Sequence, residues 1–113
     1  MPATVSNTAT IPINETTSDA VDLQLVDHLG SIVGIQMPAA FTGASISFQV
    51  SGDDSTYQAL YDSSNTLLSI TVSASRTYGF TDSVRATLAH WRYIKIVSAS
   101  SEAAARSIKL ITK

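Results

Sequence analysis

The sequence predicts an all-β chain: a single-domain antiparallel β-sandwich, jelly-roll-like, with about eight or nine short strands and one short helical turn. Three observations carry this. Apolar residues alternate with period two where the pattern is clearest: Ile46, Phe48 and Val50 against Ser45, Ser47, Gln49 and Ser51, and Ile94 and Ile96 against Trp91, Tyr93 and Val97. The chain holds 17 Ser and 13 Thr while only 14% of its residues are charged, a composition that suits strands and turns better than helices. Turn-forming clusters recur every 8–12 residues or so, the spacing of a sandwich.

Taken in order, residues 4–13 are β-prone but contain Pro12, which lacks a ladder donor, so an edge strand or an extended arm is expected. A polar turn at 14–18 leads to a weakly alternating strand over 20–26, with Val21, Leu23 and Leu25 on one parity. Asp27-His28-Leu29-Gly30 reads as a turn, and 31–37 as an apolar strand ended by Pro38. A loop carrying Phe41 precedes the strand over 44–51. Gly52-Asp53-Asp54-Ser55 and Asp62-Ser63-Ser64-Asn65 are turns by composition, flanking a short strand over 57–61. Further strands are expected over 67–72 and 76–80. Thr81-Asp82-Ser83 can cap a helical turn over 84–89. A core strand over 90–98, a loop over 100–105 and a last strand over 107–112 complete the chain. The expected core is Val33, Ile35, Ile46, Phe48, Val50, Leu68, Ile70, Ile94, Ile96 and Leu110.

A chain of 113 residues fits one domain, divided here into residues 1–17 as an N-terminal arm or edge strand and 18–113 as the sandwich. Cysteine is absent, which favours a reducing compartment or stabilisation by assembly. No apolar run is long enough for a membrane span, and the N-terminus has neither the basic start nor the apolar stretch of a signal peptide.

Charge is divided along the chain. Residues 1–75 carry a formal −7 and residues 76–113 a formal +5, together the net −2. Strand pairing that interleaves the halves would cancel this field, whereas a bipolar surface would dock like subunits head to tail.

The residues announce no reaction. His28 and His90 are the only histidines, and no HExxH pattern or G-x-S-x-G elbow occurs. Asp53, Asp54 and Asp62 could attract a hard cation, but they lack the spacing of a calcium loop, and hairpin turns explain the same residues. Arg92 and Lys95 beside Trp91 and Tyr93 have the composition of a base-stacking patch, yet the net charge is acidic, so direct nucleic-acid binding is not expected. No catalytic, cofactor or metal residue is assigned, and no cofactor is expected. The aromatic residues Tyr57, Tyr61, Tyr78, Trp91 and Tyr93 could form a sugar-stacking platform, with Tyr57, Tyr61 and Tyr78 the candidate stacking face for a glycan.

Several stretches resemble a family of small β-sandwich virion structural proteins of tailed bacteriophages. They are Ser18-Asp19-Ala20-Val21-Asp22-Leu23, the run from Val33 to Gly43, Ile46-Ser47-Phe48-Gln49-Val50-Ser51, the run from Thr56 to Asp62, and Trp91-Arg92-Tyr93-Ile94-Lys95-Ile96. Residues 24–31 depart from that pattern, in which a shorter glycine-rich turn is expected. The resemblance implies a non-enzymatic virion protein assembled in the bacterial host cytoplasm: a capsid decoration or cement protein binding the major capsid protein and copies of itself. It implies a homo-oligomer in the particle, without direct nucleic-acid or membrane contact. The alternative is a tail or head–tail component that binds host-surface glycans. In the cement reading Val5, Ile11 and Ile13 meet a neighbouring subunit and Thr8 and Thr10 pair at its edge. Deleting residues 2–13 would then leave the domain folded.

Overall fold

A computed structural model of the protein describes residues 5–23, 32–88 and 91–112. The expected turn at residues 27–30 and both histidines lie outside the described residues. Within them the chain is nearly all β, a compact domain of two antiparallel sheets. The strands are β1 (Val5–Ile11), β2 (Val21–Asp22), β3 (Ile32–Gln36), β4 (Ser45–Ser51), β5 (Gln58–Ala59), β6 (Ser69–Thr71), β7 (Thr77–Gly79), β8 (Tyr93–Ser98) and β9 (Arg106–Thr112). A single helix among the described residues, α1 (Asp82–Leu88), separates β7 from β8, and the Thr81 hydroxyl accepts the Val84 N–H at its N-terminus.

The first sheet runs β1-β9-β3-β7. The second runs β2-β8-β4-β5, with β6 also on β4. Successive strands β1 to β4 alternate between sheets, as do β7, β8 and β9, which is the winding of a jelly roll. Each sheet therefore joins the two ends of the chain, β1 to β9 and β2 to β8. That pairing interleaves the acidic and basic halves: Asp22 on β2 meets Arg92, which precedes β8, at 3.1 Å.

β5 and β6 share one strand position along β4. β5 pairs with Gln49 and Val50, and β6 with Ser45, Ile46 and Ser47. Between them the chain leaves the sheet as a hairpin closed by a Tyr61–Leu67 bridge and by the Leu68 N–H on the Leu60 carbonyl at 3.0 Å. Asn65 turns that hairpin with φ 62°, a left-handed conformation that asparagine tolerates.

The core lies between the sheets. Ile46, Phe48, Ile94, Ile96, Ile35 and Leu110 are at most 1% exposed, and Val50 is buried, as period two requires. Phe80 meets Phe48 edge to face at 6.4 Å between centroids. Leu68 and Ile70 are half-buried and pack against this core. Val33 corrects the expectation. A β-bulge between Ile32 and Gly34 breaks the register on β9, so Ile32 and Ile35 point inward and Val33 is only half-buried. At the bulge the β7 backbone comes so near Gly34 that an added Cβ would sit 2.5 Å from the Tyr78 carbonyl oxygen. Glycine is needed here for close approach.

The N-terminal segment belongs to the sandwich. β1 pairs with β9 from Val5↔Thr112 to Ile11↔Arg106, and Ala9 and Ile11 are fully buried. Residues 14–18 are stitched on by the Asn14 N–H to the Glu102 carbonyl, the Ser18 N–H to the Ile96 carbonyl and the Ser98 N–H to the Thr16 carbonyl. Of the two readings, arm or edge strand, residues 5–11 take the second, and this argues against the expectation that residues 2–13 can be deleted without loss of the fold. Ala9, too small to stand out in the sequence, and Ile11 are part of the core, and the ladder avoids Pro12 because β1 ends one residue before it.

Candidate functional site

The expected subunit contacts do not act as a set. Ile11 is enclosed by the chain's own core and cannot meet a neighbour. Ile13 is 55% exposed just past β1, and Thr8 is exposed on the strand. The side chain of Val5 lies outside the described residues. Thr10 is already occupied: its N–H donates to Asp19 Oδ1 at 2.8 Å, its carbonyl accepts the Asp19 N–H at 3.0 Å, and its hydroxyl bonds Ser107. These bonds fix which way the β1 backbone faces. The Thr10 amide and carbonyl point away from β9, so those of Thr8 and Ser6, two and four residues back, point the same way. Among the described residues, no strand pairs with that side of β1.

The outward face of the same sheet carries short polar side chains: Thr8, Thr10, Ser107, Gln36 and Thr77, with Lys109 among them. On the other sheet Ser45, Ser47, Gln49, Ser69 and Thr71 do the same. These faces follow directly from the serine and threonine positions in the alternating segments.

Tyr57, Tyr61 and Tyr78 do not make one platform. Tyr78 lies on β7 against the core, and its hydroxyl accepts the Ser73 N–H at 2.8 Å. Tyr57 lies on the opposite sheet. Its ring is covered by the Lys95 ammonium at 4.3 Å and its hydroxyl donates to Asp54. Burial first, then the Asp54 carboxylate, hold its phenol well above the usual range. Only Tyr61, half-exposed on the hairpin, is free to receive a ligand.

Of the other aromatics in the expected cluster, Trp91 shares a cleft with Tyr61. The hairpin of residues 60–68 and α1 enclose a cleft of about 550 Å³, lined by Tyr61, Asp62, Leu68 and Thr87, with Leu60 and Trp91. A second cleft of about 280 Å³, between residues 50–60 and Trp91, shares Leu60 and Trp91 with the first. The indole stands between them, 36% exposed, and its Nε1–H donates to the Thr87 carbonyl at 3.2 Å. That bond ties the ring to the last turn of the helix.

The acidic turn residues are accounted for by local bonding. Asp53 Oδ1 accepts the Ser55 and Thr56 N–H groups and the Ser51 hydroxyl, and these bonds, led by Ser55, lower its pKa. Asp62 Oδ1 accepts the Ser64 and Thr66 N–H groups. Asp53, Asp54 and Asp62 do not gather, and among the described residues no group of three metal-ligating side chains does.

Glu102 was missed because a glutamate among serines and alanines reads as a solvated loop. It is 1% exposed and accepts from the Thr42 N–H (2.9 Å), the Thr42 hydroxyl (2.8 Å), the Gly43 N–H (3.0 Å) and Arg106 Nε (3.0 Å). Burial alone would raise its pKa; the Arg106 and Thr42 bonds outweigh it and hold the carboxyl below the usual range. Its one signal in the sequence is that it is one of only two acids in the basic half, with Asp82, and stands four residues before an arginine. This carboxylate pins the loop after Pro38 to the start of β9 and is structural.

No family model matches the chain, and no curated protein matches it. Among solved structures, the chain is similar to SPBc2 prophage-derived protein YomS, with 12% identity and a TM-score of 0.56 over 99% of this chain and 96% of that one. It also aligns with the Yersinia pseudotuberculosis-derived mitogen YPM, at 10% identity and a TM-score of 0.42 over 100% and 86% of the two chains, too low to carry the topology. The end-to-end likeness to YomS shows a shared fold: a β-sandwich that also occurs in a prophage-derived protein.

Proposed function

We propose that the protein is a non-enzymatic structural component of a bacteriophage particle, a decoration protein that binds the outer capsid and stabilises the shell. Its partners in this reading are the major capsid protein and copies of itself, and it assembles onto the virion in the bacterial cytoplasm. The supporting observation is the surface formed by the side of β1 with which no described strand pairs and by the short hydroxyl side chains of its sheet. Ser6 and Thr8 offer backbone donors and acceptors for an added strand, and Asp19 closes the edge at Thr10, which limits where such a strand can lie. Short side chains lose little rotamer freedom on being covered, so such a face docks with a small ordering penalty. The full-length likeness to a prophage-derived protein agrees with this setting. The docking unit is a strand edge, the second of the two readings, arm or edge strand, that the sequence left open.

The test is a Thr8→Pro substitution. It removes an N–H that points away from β9, so the ladder and the fold survive while strand addition is blocked. Purified particles should carry the wild-type protein at full occupancy and the variant at strongly reduced occupancy, with both isolated proteins melting cooperatively. Full occupancy by Thr8→Pro, or absence of the wild-type protein from particles, would overturn the proposal.

A further inference from the structure

We propose that the paired clefts on either side of Trp91 bind a neutral saccharide. The inference goes beyond a capsid-docking role and rests on a different part of the molecule. Three features define the ligand. The first is aromatic: Trp91 and Tyr61, both large and solvent-accessible, line the same cleft, and the indole is held by its bond to the Thr87 carbonyl. A ring fixed by a hydrogen bond presents its face without further ordering, which is what the apolar face of a pyranose stacks on. The second is polar. Asp62 uses Oδ1 for both of its turn bonds, which leaves Oδ2 without a donor among the described residues, and Ser63, Ser64 and Ser83 add hydroxyls around it. Such a wall accepts hydrogen bonds from ligand hydroxyls. The third is charge. Among the described residues no lysine, arginine or histidine lines either cleft, and the single carboxylate repels anions. Phosphorylated and acidic sugars are therefore disfavoured.

The size agrees. At about 550 Å³ the larger cleft falls within the range of roughly 300–1,000 Å³ common to small-ligand sites. The smaller cleft shares Leu60 and Trp91 with the larger, so two sugar units of one chain would have Trp91 in common.

Trp91 is the only tryptophan in the chain, so its emission reports occupancy directly. Full-length protein is screened on an array of neutral and anionic glycans, then titrated with malto-, cello- and chito-oligosaccharides and with sialyllactose as the anionic probe. The expected result is a saturable emission change with one neutral series and none with sialyllactose. Tyr61→Ala, at an exposed hairpin position, should weaken binding by about tenfold or more, and Trp91→Ala should abolish it by calorimetry. Tyr78→Phe, on the other sheet, should leave it unchanged. No response to any neutral glycan, a response to anionic glycans alone, or undiminished binding in the folded Tyr61→Ala variant overturns the proposal.

Discussion

Replacing Glu102 should destabilise the protein more than any other single change at a polar residue. The carboxylate accepts from two backbone N–H groups, a hydroxyl and the Arg106 guanidinium, with its side chain 0% and that of Arg106 14% exposed. Glu102→Ala strands a covered cation and two loop amides at once. Breaking a buried pair by removing one partner costs about 3–5 kcal/mol, a large share of a total stability of roughly 5–15 kcal/mol. At ~4 °C per kcal/mol the melting midpoint falls by about 12–20 °C. Glu102→Gln keeps the shape but loses the charge, and its amide cannot accept from donors on both oxygens; about 2 kcal/mol is expected there.

The same group gives a pH signature. Its pKa in the folded protein is lowered, so its contribution is complete above the unfolded carboxyl's value of about 4.3 and is lost as pH falls through the folded value. The stability gap between wild type and Glu102→Gln should therefore be constant from neutral pH down to that point and narrow below it. Other carboxylates cancel in the difference. Urea unfolding of both proteins across the acid range measures this. A loss under about 1 kcal/mol for Glu102→Ala at neutral pH, or a gap to Glu102→Gln that persists unchanged in acid, would refute the buried-carboxylate account.

Two further changes probe the core and the bulge. Phe48→Ala removes a fully buried ring and its edge contact with Phe80, and denaturant unfolding should show a loss of about 3–5 kcal/mol. Gly34→Ala sets a methyl group 2.5 Å from the Tyr78 carbonyl oxygen, so β3 and β7 must separate; a loss of more than about 1 kcal/mol is expected, with weakened amide protection on β7.

The strands were legible because period two and turn composition act locally. β4 and β8 alternate cleanly, and their inward residues Ile46, Phe48, Val50, Ile94 and Ile96 are buried as expected. The helical turn followed from Thr81, which caps α1. What failed depends on pairs distant in sequence. The bulge that turns Val33 aside is set by β3 meeting β9, some 75 residues on by the register Gly34↔Ile111. The burial of Glu102 is set by a loop 60 residues before it. Residues 4–13 left arm and edge strand open because nothing local shows that β9 returns to lie beside β1. The three tyrosines were grouped by type, and the winding of the chain sends Tyr57 and Tyr78 to opposite sheets. The Tyr61–Trp91 juxtaposition joins a hairpin to the end of a helix and has no local signal at all.

Between the core residues Leu60 and Leu68, the hairpin tip of residues 61–67 adds little to the sandwich interior. β5 and β6 lie on successive portions of β4, so a direct connection between them would complete the same sheet. The excursion instead orders additional residues, each at a backbone cost of about 1–2 kcal/mol. It is held by the Tyr61–Leu67 bridge and the Asp62 turn bonds, while Tyr61 and Leu67 stay 50% and 38% exposed. Large side chains that add little to the core, displayed on a segment the fold can do without, are better explained by what they meet at the surface. The helix that forms the opposite wall is likewise a connection elaborated between β7 and β8. The cleft is thus built from two connections of the jelly-roll winding, whereas the side of β1 with which no described strand pairs belongs to the winding itself.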